Sequence, residues 1–118
     1  MLKFRDEIKI YVSLQPIDAR KSIDGLCAQV LEHFADNPQC GDVFVFFNKS
    51  KDKVKMLWWN ANGFILCYKR LEKHRFVLPK EYGAKKLEIT QAQLQGLLAG
   101  LDFSLMRHFP EINYHQYA

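Results

Sequence analysis

Residues 43–78 decide the fold and read VFVFFNKSKDKVKMLWWNANGFILCYKRLEKHRFVL. The continuous apolar run at 43–47 predicts a short strand that is buried on both faces. Alternating side chains predict a strand at 53–59, and further strands are predicted at 64–71 and 75–78. Because short polar turns join these segments, we expect consecutive strands to pair as an antiparallel meander.

Two amphipathic helices and one more strand are predicted outside this meander. Alternation at 8–12 predicts a first strand, and Asp18 is placed to cap a helix whose apolar positions run from Ala19 to Phe34. Thr90 and Gln93 match a capping box, in which each side chain satisfies a backbone donor of the other residue. Leucines then follow at helical spacing, and Gly100 is placed to end this second helix. These leucines are Leu94, Leu97, Leu98 and Leu101.

The predicted fold class is α+β: an antiparallel β-meander of four to five strands with two amphipathic helices packed on one face. The Asn62-Gly63 pair is suited to the positive φ that a tight turn between two strands requires. We expect a single domain over residues 1–106, followed by a C-terminal tail at 107–118 with no regular structure.

Positive charge is concentrated in one part of the chain. The formal net charge is +4, but residues 49–75 hold eight cations against Asp52 and Glu72, so this segment carries +6 and the remainder −2. A basic field interleaved with aromatic residues favours an anionic partner, nucleic acid first. The alternative is a solvated hairpin whose cations keep the protein soluble. The eight cations are Lys49, Lys51, Lys53, Lys55, Lys69, Arg70, Lys73 and Arg75.

Several function classes find little support in the sequence. No stretch approaches the ~18 apolar residues of a membrane span, and residues 1–6 lack a signal peptide's apolar region. We therefore expect a cytoplasmic protein with no membrane partner. Three separated cysteines and four scattered histidines form no ligand pattern, so we predict no metal and no cofactor. No glycine-rich phosphate loop and no nucleophile motif are present, so we predict no enzymatic activity.

Four separated motifs carry a family resemblance: PIDARKSIDGL at 16–26, KMLWWNANGF at 55–64, YKRL at 68–71 and RFVLP at 75–79. In this order they resemble the TnpB, or second-frame (Orf2-like), accessory proteins of the insertion-sequence-sixty-six family of bacterial transposons. The resemblance spans about residues 8–102, with Ala19 where the family usually has Met and Asn60 where it has Asp. It implies an accessory protein for transposition, encoded beside a separate transposase.

The candidate DNA contacts combine cations with one aromatic side chain. Cations near a helix start can meet a DNA backbone, and an exposed indole beside cations can stack on a base. Adjacent residues on a strand point to opposite faces, so at most one of Trp58 and Trp59 faces the core, and Lys69 and Arg70 also diverge. A capped helix with surface ion pairs and a covered indole remain as structural alternatives. The candidates are Arg20, Lys21, Lys55, Trp59, Lys69, Arg70 and Arg75.

The predicted function is that of an accessory protein that binds the element's DNA through a basic and aromatic sheet surface and assists a separate transposase. A protein-interaction adaptor that binds the transposase without touching DNA is the alternative. It predicts DNA binding that is weak and insensitive to salt, together with an exposed apolar patch. A small nuclease or toxin is a third reading, with the least support in the sequence.

Overall fold

The computed structural model describes residues 3–79 and 84–106, and the predicted tail at 107–118 lies outside these residues. A five-stranded sheet forms the centre of the described fold, with helical segments before β2 and after β5. The strands are β1 (Ile10–Ser13), β2 (Val43–Phe47), β3 (Lys53–Asn60), β4 (Gly63–Arg70) and β5 (Lys86–Ile89). The helices are α1 (Ile23–Gln29), continued by a π-helical segment (Val30–Phe34), then α2 (Gln91–Leu98) and α3 (Phe103–Met106).

The sheet is mixed, so the prediction of a purely antiparallel meander is wrong. Its strand order is β4-β3-β2-β1-β5, and β1 pairs with β2 in parallel, with Ile10 opposite Val43. The other three pairings are antiparallel, as predicted for β2, β3 and β4. The parallel pair arises because α1 carries the chain from the end of β1 back to the start of β2, which is the crossover that parallel strands require.

The strand predicted at 75–78 is wrong, and the strand that completes the sheet is β5, at the edge beside β1. After β4 the chain passes the beginning of β3: the Leu71 amide donates to the Asp52 carbonyl, and the Phe76 amide donates to the Lys51 carbonyl. Val77 makes one isolated bridge to Asp102. The segment therefore lies across the end of the sheet, beside the start of β3, and does not form a strand next to β4.

The two long helical segments lie on opposite faces of the sheet, in contrast to the predicted packing on one face. Apolar residues of α1 and the π-helical segment share a cluster with Phe44 and Phe46, whereas Leu94 and Leu97 of α2 share another with Val45 and Phe47. Because neighbouring residues of β2 point to opposite faces and all five are apolar, both faces need a cover.

The predicted start is confirmed for α2 and is wrong for α1. At α2 the predicted capping box is present: Thr90 Oγ1 accepts from the Gln93 amide, and Gln93 Oε1 accepts from the Thr90 amide. The first helix begins at Ile23, later than the predicted start. Asp18 instead stabilises a preceding turn, in which its side chain accepts from the Arg20 amide at 2.9 Å. Among the described residues, no helix is long and apolar enough to cross a membrane.

Candidate nucleic-acid interface

Three loops meet at one end of the sheet. They are 18–21 between β1 and α1, 48–53 from the end of β2 to the first residue of β3, and 70–75 from the last residue of β4 onward. We call this set of residues the basic end. The loops meet there because β1 and β2 run in parallel, so both leave the sheet on the same side, and β4 runs in that direction as well. A bridge between Ile17 and Asn48 holds the first two loops together.

The charge of the basic end is strongly positive. Its three loops carry eight cations against Asp18, Asp52 and Glu72, a formal net charge of +5. The whole chain carries +4, so all other residues together sum to −1. A concentration of one sign on one end of a small protein creates a local field that attracts polyanions. The eight cations are Arg20, Lys21, Lys49, Lys51, Lys53, Arg70, Lys73 and Arg75.

The side chain of Asn48 fixes the loop 48–53. Its Oδ1 accepts from the amides of Asp52 at 3.1 Å and Lys53 at 3.0 Å, and its Nδ2 donates to the Asp52 carboxylate at 2.6 Å. The hydrogen bond from Asn48 lowers the pKa of the Asp52 carboxyl. Lys51 stands at φ 58, so this loop presents its lysines on a constrained backbone.

Phe76 anchors the loop 70–75. Its side chain is 1% exposed, and its ring meets the Phe47 ring edge to face, with centroids 5.2 Å apart. The Phe76 amide also donates to the Lys51 carbonyl at 2.8 Å, which ties this loop to 48–53. Lys73 and Arg75 flank His74, which has a φ of 68. An apolar anchor and backbone hydrogen bonds therefore set the positions of these cations.

The cations of the basic end fall into two groups. Three pair with acids: Arg20 with Asp18 at 2.7 Å, Lys53 with Asp52 at 3.3 Å, and Arg70 with Glu72 at 3.0 Å. The pair with Arg20 lowers the pKa of Asp18 to about 2, through side-chain and backbone hydrogen bonds. The second group makes no ion pair with any residue in 3–79 or 84–106, and consists of Lys21, Lys49, Lys51, Lys73 and Arg75.

Lys55 holds the loop 18–21 against the sheet. Its Nζ donates to the carbonyl oxygens of Ala19 at 2.7 Å and Lys21 at 2.6 Å, and lies 5.5 Å from the centroid of the Tyr68 ring. Two of the three donors of this ammonium group are thereby engaged with the backbone. The contact accounts for the position of Arg20 and Lys21 beside β3 and β4, although the two motifs lie far apart in sequence.

Two of the seven predicted contacts lie away from the others. Lys69 is paired with Val54, so it points to the face that α2 covers, and its Nζ donates to the Leu98 carbonyl at 2.7 Å. Trp59 lies at the far end of β3, half-buried, with its ring edge to face with Phe64 at 5.0 Å. The structure thus brings Arg20, Lys21, Lys55, Arg70 and Arg75 together and leaves Lys69 and Trp59 apart from them.

The expected divergence of the two tryptophans is confirmed. Trp58 is 8% exposed and lies in the core with Met56, where its ring meets Phe4 edge to face at 5.1 Å. Trp59 points to the other face, but the aromatic residue beside Lys55 is Tyr68, which is 53% exposed. The aromatic component of a basic surface is therefore the tyrosine of β4.

Four lysines of the basic end are absent from the predicted contacts, namely Lys49, Lys51, Lys53 and Lys73. Their signal was present in the charge of the segment 49–75, but no motif distinguished them from solubilising surface lysines. In the described part of the chain, no group of three or more His, Cys, Asp or Glu side chains could hold a metal ion.

Comparison with known proteins gives a consistent assignment. The family described as IS66 Orf2 like protein matches residues 8–108. The uncharacterized protein y4jC of Sinorhizobium fredii (strain NBRC 101917 / NGR234) is 36% identical over 104 residues, which cover 87% of each chain. The uncharacterized protein y4hO of the same strain is 33% identical over 103 residues, covering 87% of this chain and 89% of the relative.

No solved structure shows significant similarity to the chain, so the assignment depends on sequence. The matched residues begin before β1 and extend past α3, and they include all three loops of the basic end. This protein belongs to the IS66 Orf2-like family.

Proposed function

We propose that this protein binds the DNA of its insertion sequence through the basic end and thereby assists a separate transposase. Membership of the IS66 Orf2-like family indicates an accessory role in transposition, and DNA binding is the molecular activity that we add to it. The observation that carries the proposal is the convergence of three loops into one surface with a formal charge of +5.

The arrangement suits contact with phosphates more than the reading of bases. Lysine and arginine side chains on loops can each meet a phosphate oxygen, and such contacts supply affinity without sequence information. The basic end carries no recognition helix, and most of its cations lie on loops with fixed backbones. We therefore propose non-catalytic binding of the DNA backbone in the cytoplasm, with Tyr68 available beside Lys55 and Arg70.

A salt titration tests this proposal. Binding of a short labelled duplex should weaken linearly in log–log form as salt rises, with a slope of about −0.9 per phosphate contacted. Replacing Lys51 and Lys73 by Gln should lower the magnitude of that slope by roughly 1.8 if each lysine meets one phosphate. Neither side chain forms an ion pair with an acid among the described residues, so the melting temperature should stay nearly constant.

Arg5 and Lys9 provide the matched control, because they lie at the opposite end of the sheet. Replacing both by Gln removes the same charge and should leave the salt slope unchanged. Equal losses in the two double variants would show that net charge alone governs binding, and would contradict the basic end as the contact surface.

The adaptor function is supported by a separate observation. Leu101 is 51% exposed and Val77 is 39% exposed, and the bridge between Val77 and Asp102 brings their backbones together. An exposed apolar surface is the feature that the adaptor function predicts, and these two side chains are candidates for it. Co-purification with the transposase in the presence of nuclease tests this alternative. The adaptor is favoured if the variant with Gln at positions 51 and 73 still co-purifies and a variant with Leu101→Ser and Val77→Ser does not.

A further inference from the structure

The two edges of the sheet differ in how they are protected against pairing with another strand. The β5 edge has four residues, and charged side chains alternate along it at Lys86 and Glu88. The β4 edge has eight residues, and its first six, from Gly63 to Tyr68, carry no charge. Short length and charge are the features by which natural sheets block edge pairing, and β4 lacks both over most of its length.

The backbone of β4 offers a regular row of hydrogen-bonding groups. Gly63 and Asn60 close a two-residue turn, and the Leu71 amide donates inward to the Asp52 carbonyl at 2.7 Å. The backbone groups of Gly63, and of Leu71 just beyond β4, therefore point to β3. Because this direction alternates along an antiparallel pair, the backbone groups of the even-numbered residues of β4 point outward. Within the described ranges, only β3 pairs with β4. The outward residues are Phe64, Leu66, Tyr68 and Arg70.

We propose that β4 pairs antiparallel with β4 of a second copy of this chain, so that two five-stranded sheets join into one continuous sheet. A register with Leu66 opposite Leu66 sets Phe64 opposite Tyr68 and Ile65 opposite Cys67 on both sides of the two-fold axis. Aromatic and aliphatic pairs of this kind are the units that stabilise adjacent strands.

The position of the two cations at one end of β4 favours an antiparallel second copy as the occupant. In the antiparallel register Lys69 meets Gly63 of the other copy and Arg70 meets Asn62, so no cation faces a cation. A parallel arrangement would set Arg70 against Arg70, which is unfavourable. The antiparallel pair also directs the two basic ends away from each other, so the dimer would offer two separate surfaces to anions.

Sedimentation velocity over a range of protein concentrations tests the pairing. The wild type should show a monomer–dimer equilibrium at high concentration, because a contact between two strands is smaller than a standard interface. Tyr68→Pro removes an outward donor while leaving the β3 ladder intact, and edge strands tolerate proline in that orientation. We expect the dimer dissociation constant to rise roughly tenfold or more.

Tyr68→Thr is the matched control, because it removes the same ring but keeps the backbone donor and a side chain suited to strands. It should dimerise far more strongly than Tyr68→Pro. A wild type that stays monomeric at every concentration, or a Tyr68→Pro variant that dimerises as the wild type does, would overturn the proposal.

Amide hydrogen exchange of the wild type decides the question even if Tyr68→Pro fails to fold. The amides of Phe64, Leu66 and Tyr68 should become more protected as protein concentration rises, while amides on the β5 edge should not. Protection that is independent of concentration, or that appears only on addition of an extended peptide from the transposase, would exclude a second copy as the partner.

Discussion

The two ends of the same sheet use charge in different ways. The opposite end consists of residues 5–9, 37–42 and 60–63, and carries Arg5 and Lys9 against three acids, a net charge of −1. There Arg5 pairs with Glu7 at 3.2 Å, and the Asp42 carboxylate accepts from the Lys9 amide at 3.1 Å. The charges of this end are used largely to hold its own loops in place.

The basic end has three ion pairs, but each of its loops also has an anchor that is not an ion pair. Asn48 fixes one loop with its amide side chain, Phe76 fixes another by burial, and Lys55 fixes the third through two carbonyl oxygens. Five cations consequently have no acid partner among the residues described. Cations are therefore available to a partner where an amide side chain, a buried ring and a lysine bound to backbone carbonyls help to hold the loops, so that ion pairs are not the sole support.

The largest effect should come from removing the Phe76 anchor. Phe76→Ala deletes a ring that is 1% exposed and packs on Phe47, so the free energy of unfolding should fall by about 3–5 kcal/mol. Phe4→Ala is the matched change at the opposite end, where the ring is 7% exposed and packs on Trp58. Chemical denaturation measures both losses, and DNA binding is compared under conditions where both variants remain folded.

Only Phe76→Ala should weaken DNA binding, because only its loop carries Lys73 and Arg75. If the two variants bind DNA equally well, the anchored geometry of the basic end is irrelevant to binding, and the comparison between the ends fails.

A substitution of Lys55 can distinguish a role in positioning the loop 18–21 from a direct contact with a phosphate. Lys55→Met keeps the aliphatic stem but removes two hydrogen bonds, to Ala19 and Lys21, and should cost about 1–2 kcal/mol of unfolding free energy. Affinity for DNA should then fall through displacement of the loop 18–21. A variant of unchanged stability whose salt slope drops by about 0.9 would instead identify Lys55 as a direct phosphate contact.

The local elements of the fold could be predicted from sequence, and their arrangement could not. Strands β2, β3 and β4 and the capping box of α2 follow from periodicity and from Thr90 and Gln93, which act within a few residues of each other. The parallel pairing of β1 with β2 depends on the path of the crossover, which periodicity does not encode. The placement of α1 and α2 on opposite faces was implicit in the apolar run of β2, since a strand buried on both faces requires two covers.

The candidate site was likewise predictable in its local charge but not in the arrangement of its loops. The charge of the segment 49–75 was visible in the sequence, but the contribution of the loop 18–21 required the bridge between Ile17 and Asn48. Trp59 was predicted as the indole beside the cations, yet it lies at the other end of β3 from Lys55, because four residues of a strand span roughly 13 Å. Alternation along a strand predicts the face on which a side chain lies, but it does not show which cations lie at the same end of the strand.

The turn at the opposite end should respond to a change that leaves DNA binding alone. Ala61 adopts φ 56, whereas neither residue of the Asn62-Gly63 pair, which was predicted to take a positive φ, does so. Ala61→Gly relieves this backbone cost and should raise the free energy of unfolding by about 0.5–1 kcal/mol. Ala61→Val should lower it, because a branched side chain is disfavoured at positive φ. A change in DNA affinity with either variant would show that the turn at the opposite end affects DNA binding, which contradicts a contact surface confined to the basic end.

The smallest effect should come from Asp18→Asn, which releases Arg20 while retaining an oxygen for the Arg20 amide. Affinity for DNA should rise a few-fold at low salt, because one negative charge leaves the basic end. Asp42→Asn removes a charge from the opposite end and should leave affinity unchanged. An equal rise in both variants would again indicate a response to net charge alone.

The same variant has a defined dependence on pH. The folded-state pKa of Asp18, about 2, lies below its usual value of 3.8, so its carboxylate stabilises the fold above about pH 4. That contribution is lost as the pH falls toward 2, where the carboxyl becomes protonated and the pair with Arg20 breaks. The stability difference between the wild type and Asp18→Asn should therefore shrink over this interval in denaturation experiments. Because the pair is exposed, the difference is small at every pH, and a gap that widens on acidification would show that Asp18 is not held by Arg20.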